Sequence, residues 1–584
     1  MPKTADKRVG PYPDLGIDDF LYGHEGPWPT PSRDHPFGLA PGIYNIPQKE
    51  WDDWNKYVGS YYLKNAAPFG VRSAESAMHA AREHGMGYAP LSDEDFDTLM
   101  SEGLYSKFLS PLDPPDEKLF AAFLTERDQF DYWKSDYTCM RVVRNTHPGE
   151  AAAASIALLR RPKNDDGFNY KVIAFQIQHW DQDAKKFVES PIFTKDDGDA
   201  WRVGRYFVLQ GAIHRINLID HTEVHFPPDA VNAITKTVLP KQNLIQKLLM
   251  PHLWLSLPVN NTVLEGQRSL INRNTWYPWS PFVARGDEVR KLLPFGWYGS
   301  DYYAQKNAPG DPSKDAYFDT PNSAYTPYSF DVDPPVLPSR YGVFLNAYFN
   351  PIRKFVRGVI DHMTEQDWIE VAYWADHIAI WLPDFPKGSA LVHTGPDGKR
   401  SYEPDILAGA VAHVIWNASV RHAADHQTLH EMVDGRQVQQ PDGTTKQEAP
   451  PMPVPFILRV KPPLSKDYKV EPVPIDSSEL GLAEKFEAFW EHLTNKTPLC
   501  WPTDLIHAQW ADLLFYVPHN SRRLMDLGVD PNGDPEQNYA FDTPDLKELV
   551  DQMQVALRAI DAKFKAMPGF HFAPLEDIAS SIQY

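Results

Sequence analysis

Two pairs of histidines are the residues of this sequence best suited to do chemistry. His221 and His225 stand four positions apart, and so do His422 and His426. Residues at that spacing share one face of an α-helix, with Cβ atoms about 5–6 Å apart. Both imidazoles of a pair can therefore reach one ion at about 2.0–2.1 Å. Four imidazoles with a coordination position left open suit redox-active iron or manganese better than structural zinc.

The metal interpretation competes with a simpler one. Among 21 histidines in 584 residues, a spacing of four is expected by chance about once. It occurs three times, because His430 stands four positions after His426. Histidines bonded to other groups in the core or at the surface explain any single pair better than a metal site does. His430 can be a ligand, a hydrogen-bond donor to a ligand, or a charge at the helix end.

Composition and motif order exclude several classes of function. The net charge of −21 argues against nucleic acid or anionic membrane as a partner. Two cysteines exclude a disulfide framework or a thiolate metal site. In His221-Thr-Glu-Val-His225 the glutamate does not directly follow the first histidine, which disfavours a zinc protease. The polar N-terminus and the absence of a membrane-length apolar run predict a soluble, cytoplasmic protein.

The histidine pairs lie on two predicted helices, Tyr206–His225 and Asp405–Met432, whose apolar residues recur at helical spacing. Further helix starts are predicted at Ser92, at Thr364 and at Thr543, each a residue type that caps helices. A small antiparallel sheet is predicted between Asp136 and Thr194, with strands at Tyr137–Val143, Ser155–Leu159 and Lys171–Gln178. The segment Asp434–Lys461 is rich in Gln and Pro and is predicted to be a surface loop.

Three blocks of the sequence resemble the catalytic domain of lipoxygenases. They are Lys247-Leu-Leu-Met-Pro251-His252 with the following Arg268–Asn272, the stretch Val414–Ala424, and a chain end of the form Ser-Ile-x-(last residue). Their order and spacing agree along residues 90–584. The resemblance implies a mainly α catalytic domain at 91–584 with long central helices and a small inserted antiparallel sheet. Residues 1–90 are expected to form an extended arm and helices packed on it, with no N-terminal lipid-binding β-barrel.

The same resemblance implies one non-haem iron per chain, with manganese as the alternative. His225, His422 and the α-carboxylate of Tyr584 match ligands of the family, and His426 falls where lipoxygenases have Asn or sometimes His. The family spaces its first pair five apart, which would place Asp220 at the metal instead of His221. His221 is the expected ligand, and Asp220 stays open as the alternative.

The reaction implied by the resemblance removes a bis-allylic hydrogen from a polyunsaturated fatty acid and adds O2 to give a hydroperoxide. His221, His225, His422 and Gly266 are the expected catalytic residues, since glycine at the position of Gly266 accompanies R-type oxygenation in the family. The spacing of the first pair departs from the family, and so does the last residue, which is Tyr584 where lipoxygenases usually have Ile. These departures leave two alternatives. One is an oxygenase of this fold acting on another small apolar molecule with O2, and the other is a non-catalytic protein that binds metal or lipid.

Overall fold

The helices and the sheet follow the patterns of the sequence closely in the part of the chain that the structure describes. This computed structural model describes residues 46–60, 92–164, 168–259, 282–285, 288–289, 292, 339–382, 385–426, 436–439, 445–448, 458–471, 473–474, 522–567 and 572–582. Its α-helices are α1 (Gln48–Trp54), α2 (Asp93–Ser101), α3 (Pro114–Leu119), α4 (Gly198–Arg215), α5 (His221–Val238), α6 (Leu244–Leu249), α7 (Arg340–Ile360), α8 (Glu365–Trp381), α9 (Gly388–Leu391), α10 (Pro404–Trp416) and α11 (Pro544–Lys565).

Side-chain caps fix the starts of three of these helices, as predicted. Ser92 and Asp95 form a reciprocal capping box at α2, and Thr364 and Asp367 form another at α8. Thr543 accepts a hydrogen bond from the first turn of α11, whose first residue is a proline. Such caps involve neighbours in the chain only, so the sequence specifies them directly.

One antiparallel sheet lies in the N-terminal half. Its strands, in spatial order, are β1 (Leu109–Pro111), β2 (Phe130–Asp136), β3 (Ala154–Pro162), β4 (Lys171–Asp181) and β5 (Lys186–Glu189). Helix α4 packs on β3 and β4, where the ring of Phe175 stacks on Trp201 at 4.7 Å. A side chain at Gly204 would come within 2.3 Å of the Phe175 ring, so only glycine permits this close approach.

The first predicted strand of this sheet was placed wrongly. The strand occupies Phe130–Asp136, and most of the predicted Tyr137–Val143 forms the 3₁₀ turn Thr138–Val142. The Asp136 carboxylate accepts bonds from the backbone N–H of Thr138 (2.8 Å) and from its hydroxyl (2.5 Å), and these bonds turn the chain. Apolar residues of the turn are buried in the core, which is why their pattern resembled a strand.

The predicted surface loop Asp434–Lys461 is also partly wrong. Two short strands, β8 (Arg436–Gln439) and β9 (Thr445–Glu448), pair antiparallel within it. Leu458 and Val460 near its end are buried, and Leu458 pairs with Ala151 in an isolated bridge. A second two-stranded ribbon, β6 (Val392–Thr394) with β7 (Arg400–Tyr402), precedes α10.

The helices that carry the histidines lie inside a continuous apolar core. Helix α7 packs against α10 and α11, and α5 packs against α8 and against the turn that follows α10. Buried apolar residues join the sheet, these helices and the chain end in one large cluster. The predicted architecture, mainly helical with a small antiparallel sheet, is confirmed. No helix within the described ranges has both the length and the apolar character that a membrane span requires.

Candidate metal centre

A widened helical turn precedes each histidine pair. The π-helical turn Ile216–Asp220 joins α4 to α5, and Asn417–Arg421 joins α10 to the helical residues 422–426. Each π turn ends at the residue directly before the first histidine of its pair. The widening therefore lies outside the pairs, and regular helix separates His221 from His225 and His422 from His426. A spacing of four then places both imidazoles of a pair on one face.

Polar side chains bond to backbone carbonyls around these turns. The Asn217 amide donates to the C=O of Ile213 (2.9 Å), and the Thr222 hydroxyl lies 2.8 Å from the C=O of Ile219. In the second helix the Ser419 hydroxyl donates to the C=O of Ile415 (2.5 Å). A π turn disrupts the regular i to i−4 bonding, and these side chains stabilise the irregular backbone.

The four imidazoles meet between the two helices. Their Nε2 atoms form a closed ring, with 2.8 Å from His221 to His225 and 3.0 Å from His225 to His422. The ring continues with 3.0 Å from His422 to His426 and 3.1 Å from His426 back to His221. All four side chains are buried, and their candidate ligand atoms lie within 4.8 Å of one another.

These distances fit a cation better than hydrogen bonding among the imidazoles. Two nitrogens bound at right angles to an ion about 2.1 Å away lie about 3.0 Å apart. A neutral imidazole carries one N–H, so a ring of four Nε2 atoms can hold hydrogen bonds on two sides at most. The other two sides would hold ring nitrogens about 3 Å apart with no hydrogen bond between them. A metal ion bound by all four nitrogens accounts for all four sides.

Protonation also favours ligation. Burial lowers the pKa of the His426 imidazole well below its usual value, and proximity to His221 and His225 lowers it further. The neutral form, which has the lone pair that a metal requires, therefore predominates at neutral pH.

The carboxylate of Asp220 does not join the ring. Its Oδ2 atom lies 2.5 Å from the Lys107 ammonium and 3.6 Å from the Arg421 guanidinium. Burial would raise the pKa of Asp220, but Lys107, Arg421 and Arg215 outweigh it and hold the pKa below its usual value. Of the two alternatives for the first ligand, the structure thus brings His221 to the other histidines and directs Asp220 to an ion pair.

The C-terminal segment runs towards the same place. Ser580, Ser581 and Ile582 are buried, and Ile582 packs against Ala418, one turn before His422. His252, from the Pro-His block of the sequence, bonds through Nδ1 to the C=O of Ser580 at 2.8 Å. Tyr584, Gly266 and His430 lie outside the described residues, so their predicted roles stay predictions.

Sequence reasoning missed the charged residues beside the ring. Arg421 bonds to Glu223 at 2.9 Å, and Lys107 bonds to Asp425 at 2.7 Å. Charged residues directly before a histidine are common, and their pairing across helices depends on packing. The sequence offered one indication of these charged neighbours. Three of the histidines directly follow a charged residue, namely Asp220, Arg421 or Asp425.

Comparison with known proteins bears on the fold. No family model matches the sequence, and no curated protein matches it. An anaerobic crystal structure of a lipoxygenase deletion variant in complex with arachidonate matches with 14% identity and a TM-score of 0.56, over 97% of this chain and 80% of that one. Coral 8R-lipoxygenase matches with 16% identity and a TM-score of 0.53, over 85% of this chain and 67% of that one.

A fungal lipoxygenase from Fusarium graminearum matches with 17% identity and a TM-score of 0.51, over 84% of this chain and 80% of that one. Matches at identities this low show that the fold is shared with these proteins, and they do not show that the activity is shared. The protein therefore has a divergent form of the lipoxygenase fold, with four buried histidines where its two central helices meet.

Proposed function

We propose that this protein is a non-haem metal dioxygenase that converts a polyunsaturated fatty acid to a hydroperoxide. The observation that carries the proposal is the closed ring of four Nε2 atoms with sides of 2.8–3.1 Å. Nitrogen ligands in a buried site, on a lipoxygenase fold, favour a redox metal over a structural one. Iron is the proposed metal, and manganese is the alternative.

His221, His225, His422 and His426 would hold the ion, and the α-carboxylate of Tyr584 is proposed as the ligand that completes the set. When bound, the metal supplies the one-electron oxidation by which a bis-allylic C–H bond is broken. Burial excludes bulk water from the four imidazoles, and it lowers the pKa of His426 so that this imidazole is neutral. Gly266 is proposed to leave room for oxygen at one face of the substrate.

The substrate class rests on the fold of the chain. One of the similar lipoxygenases binds arachidonate, a polyunsaturated fatty acid. A soluble cytoplasmic location and the division into 1–90 and 91–584 belong to the same proposal.

Elemental analysis combined with oxygen uptake tests this function. The purified protein is expected to contain about one iron or manganese per chain and to consume O2 with linoleate, but not with the saturated stearate, which has no bis-allylic carbon. Conjugated-diene absorbance should rise in step with oxygen consumption.

A second candidate function is oxygenation of a different small molecule on the same fold. His221 and His225 stand four apart on a regular helix, where lipoxygenases space this pair five apart, and this difference favours the second candidate because it alters the ligand geometry. A protein that binds its full complement of metal but consumes no O2 with linoleate would support this second candidate. A chain that retains no metal would instead indicate a non-catalytic protein.

A further inference from the structure

A buried lysine connects the two helices that carry the histidines. Lys107 lies on the 3₁₀ turn Leu104–Phe108, more than a hundred residues before His221. Its side chain is 4% exposed. Its ammonium lies 2.5 Å from Oδ2 of Asp220 and 2.7 Å from Oδ1 of Asp425. One cation thus binds two carboxylates that come from different helices.

The two carboxylates occupy corresponding places. Asp220 directly precedes His221, and Asp425 directly precedes His426. The Nε2 atoms of these two histidines, 3.1 Å apart, form one of the two sides of the ring that cross between the helices. The second oxygen of Asp425 also lies 3.9 Å from Nδ1 of His221. Lys107 therefore holds together the backbone positions from which this side of the ring is built.

A second cation closes the network. Arg421 directly precedes His422, and its guanidinium lies 2.9 Å from Glu223 and 3.6 Å from Asp220. Asp220 is shared by both cations, so the contacts run without a break from Lys107 to Arg421. Without Lys107, Asp220 and Asp425 would face each other as buried carboxylates, and their repulsion would push the helices apart.

We propose that Lys107 is a positioning residue that sets the separation of the two helices so that His221 and His426 bind the same ion. The proposal rests on the metal site described above and adds a residue to it that touches neither metal nor substrate. Ligand orientation by an outer residue of this kind typically changes metal affinity about 10–100-fold.

The test uses Co²⁺, whose visible absorption depends on ligand number and geometry, so the readout is independent of enzymatic activity. In the full chain, the pair Lys107→Met and Asp425→Asn removes one charge of each sign. We expect Co²⁺ affinity to fall about 10–100-fold and the absorption bands to shift, while the metal-free protein keeps its fold. The single variant Asp425→Asn measures how much of the loss in Co²⁺ affinity comes from that carboxylate.

Lys134 supplies a matched control. Its side chain is 2% exposed and lies on β2 between Asp113, at 2.9 Å, and Asp116. The pair Lys134→Met and Asp116→Asn makes the same chemical change and is expected to leave Co²⁺ affinity and absorption unchanged. An equal loss in both pairs would mean that buried lysines act only through general stability, and the positioning role would be rejected.

Lys107→Arg gives a second measurement that does not depend on the folding of the neutral pair. It keeps the charge, but a planar guanidinium cannot occupy the position of the ammonium between both carboxylates. We expect about a 3–10-fold loss of Co²⁺ affinity with altered absorption. Wild-type values in this variant would overturn the role of Lys107. Failure of the unmodified chain to bind Co²⁺ would instead reject the metal site itself, and with it both proposals.

Discussion

Replacing His225 or His422 with alanine is expected to strip the metal from the purified protein. Each residue contributes its Nε2 atom to two sides of the ring, and together they form a contact of 3.0 Å between the helices. Loss of a ligand should exceed the 10–100-fold effect of outer residues, so affinity should fall about 100-fold or more. Elemental analysis after gel filtration measures the change, and oxygen uptake should disappear with the metal.

Two histidines on the same helical runs serve as controls. His214 lies seven residues before His221, and His413 lies nine residues before His422; both are buried and outside the ring. His214→Gln and His413→Gln are expected to keep the metal, even where they lower stability. Equal metal loss in control and ring variants, or full metal in His225→Ala, would contradict ligation by the ring.

What could be predicted from the sequence is mostly local. The capping boxes at Ser92 and Thr364 involve residues three positions apart, so their types alone define them. The strand boundary at Asp136 could not be predicted in the same way. It depends on seven residues of β2 pairing with β3 and on the turn that the Asp136 carboxylate stabilises. A run of apolar residues indicates that a segment is buried, but it does not distinguish a buried turn from a buried strand.

The metal centre shows the same division. The spacing of four predicted which imidazoles share a helix face, and the resemblance brought the two pairs together. Neither could decide between Asp220 and His221, because the decision depends on where the helix is widened. The extra residue of a π turn rotates the side chains after it by about 100° relative to those before it, so the position of the turn decides whether Asp220 or His221 faces the other histidines. Here Asp220 pairs with Lys107 and Arg421 instead.

Replacing His252 with leucine is expected to loosen the C-terminal segment. The imidazole links two buried groups, the C=O of Ser580 and the hydroxyl of Tyr539, each at 2.8 Å. Burial lowers the pKa of His252 to about 4, although the bond to Ser580 opposes this, so the ring is neutral at pH 7. Its single N–H must then be on Nδ1, donating to Ser580, while Nε2 accepts the Tyr539 hydroxyl.

In His252→Leu, the C=O of Ser580 and the hydroxyl of Tyr539 stay buried but lose their hydrogen bonds to the imidazole. Each unsatisfied group costs about 1–3 kcal/mol, so the free energy of unfolding should fall by about 2–6 kcal/mol. Hydrogen exchange at residues 578–582 should rise more than exchange in α7 or α10, because the lost bond holds the chain end. Unchanged exchange there would mean that the bonds from Ser580 N–H to Arg522 and from Ser581 to Trp254 suffice.

The variant Tyr539→Phe tests whether the loss of stability and the release of the C-terminal segment are separate effects. It removes the hydroxyl but keeps the bond from His252 to Ser580, so a loss of about 1–2 kcal/mol with a protected segment is expected. Combining it with His252→Leu removes one unsatisfied group and should recover stability without restoring protection. Tyr584 lies four residues beyond Ser580. If its carboxylate is a ligand, metal affinity should follow the exchange of the segment across the three variants and not their stability. Metal affinity that is insensitive to release of the segment would leave the four histidines as the ligands and exclude Tyr584.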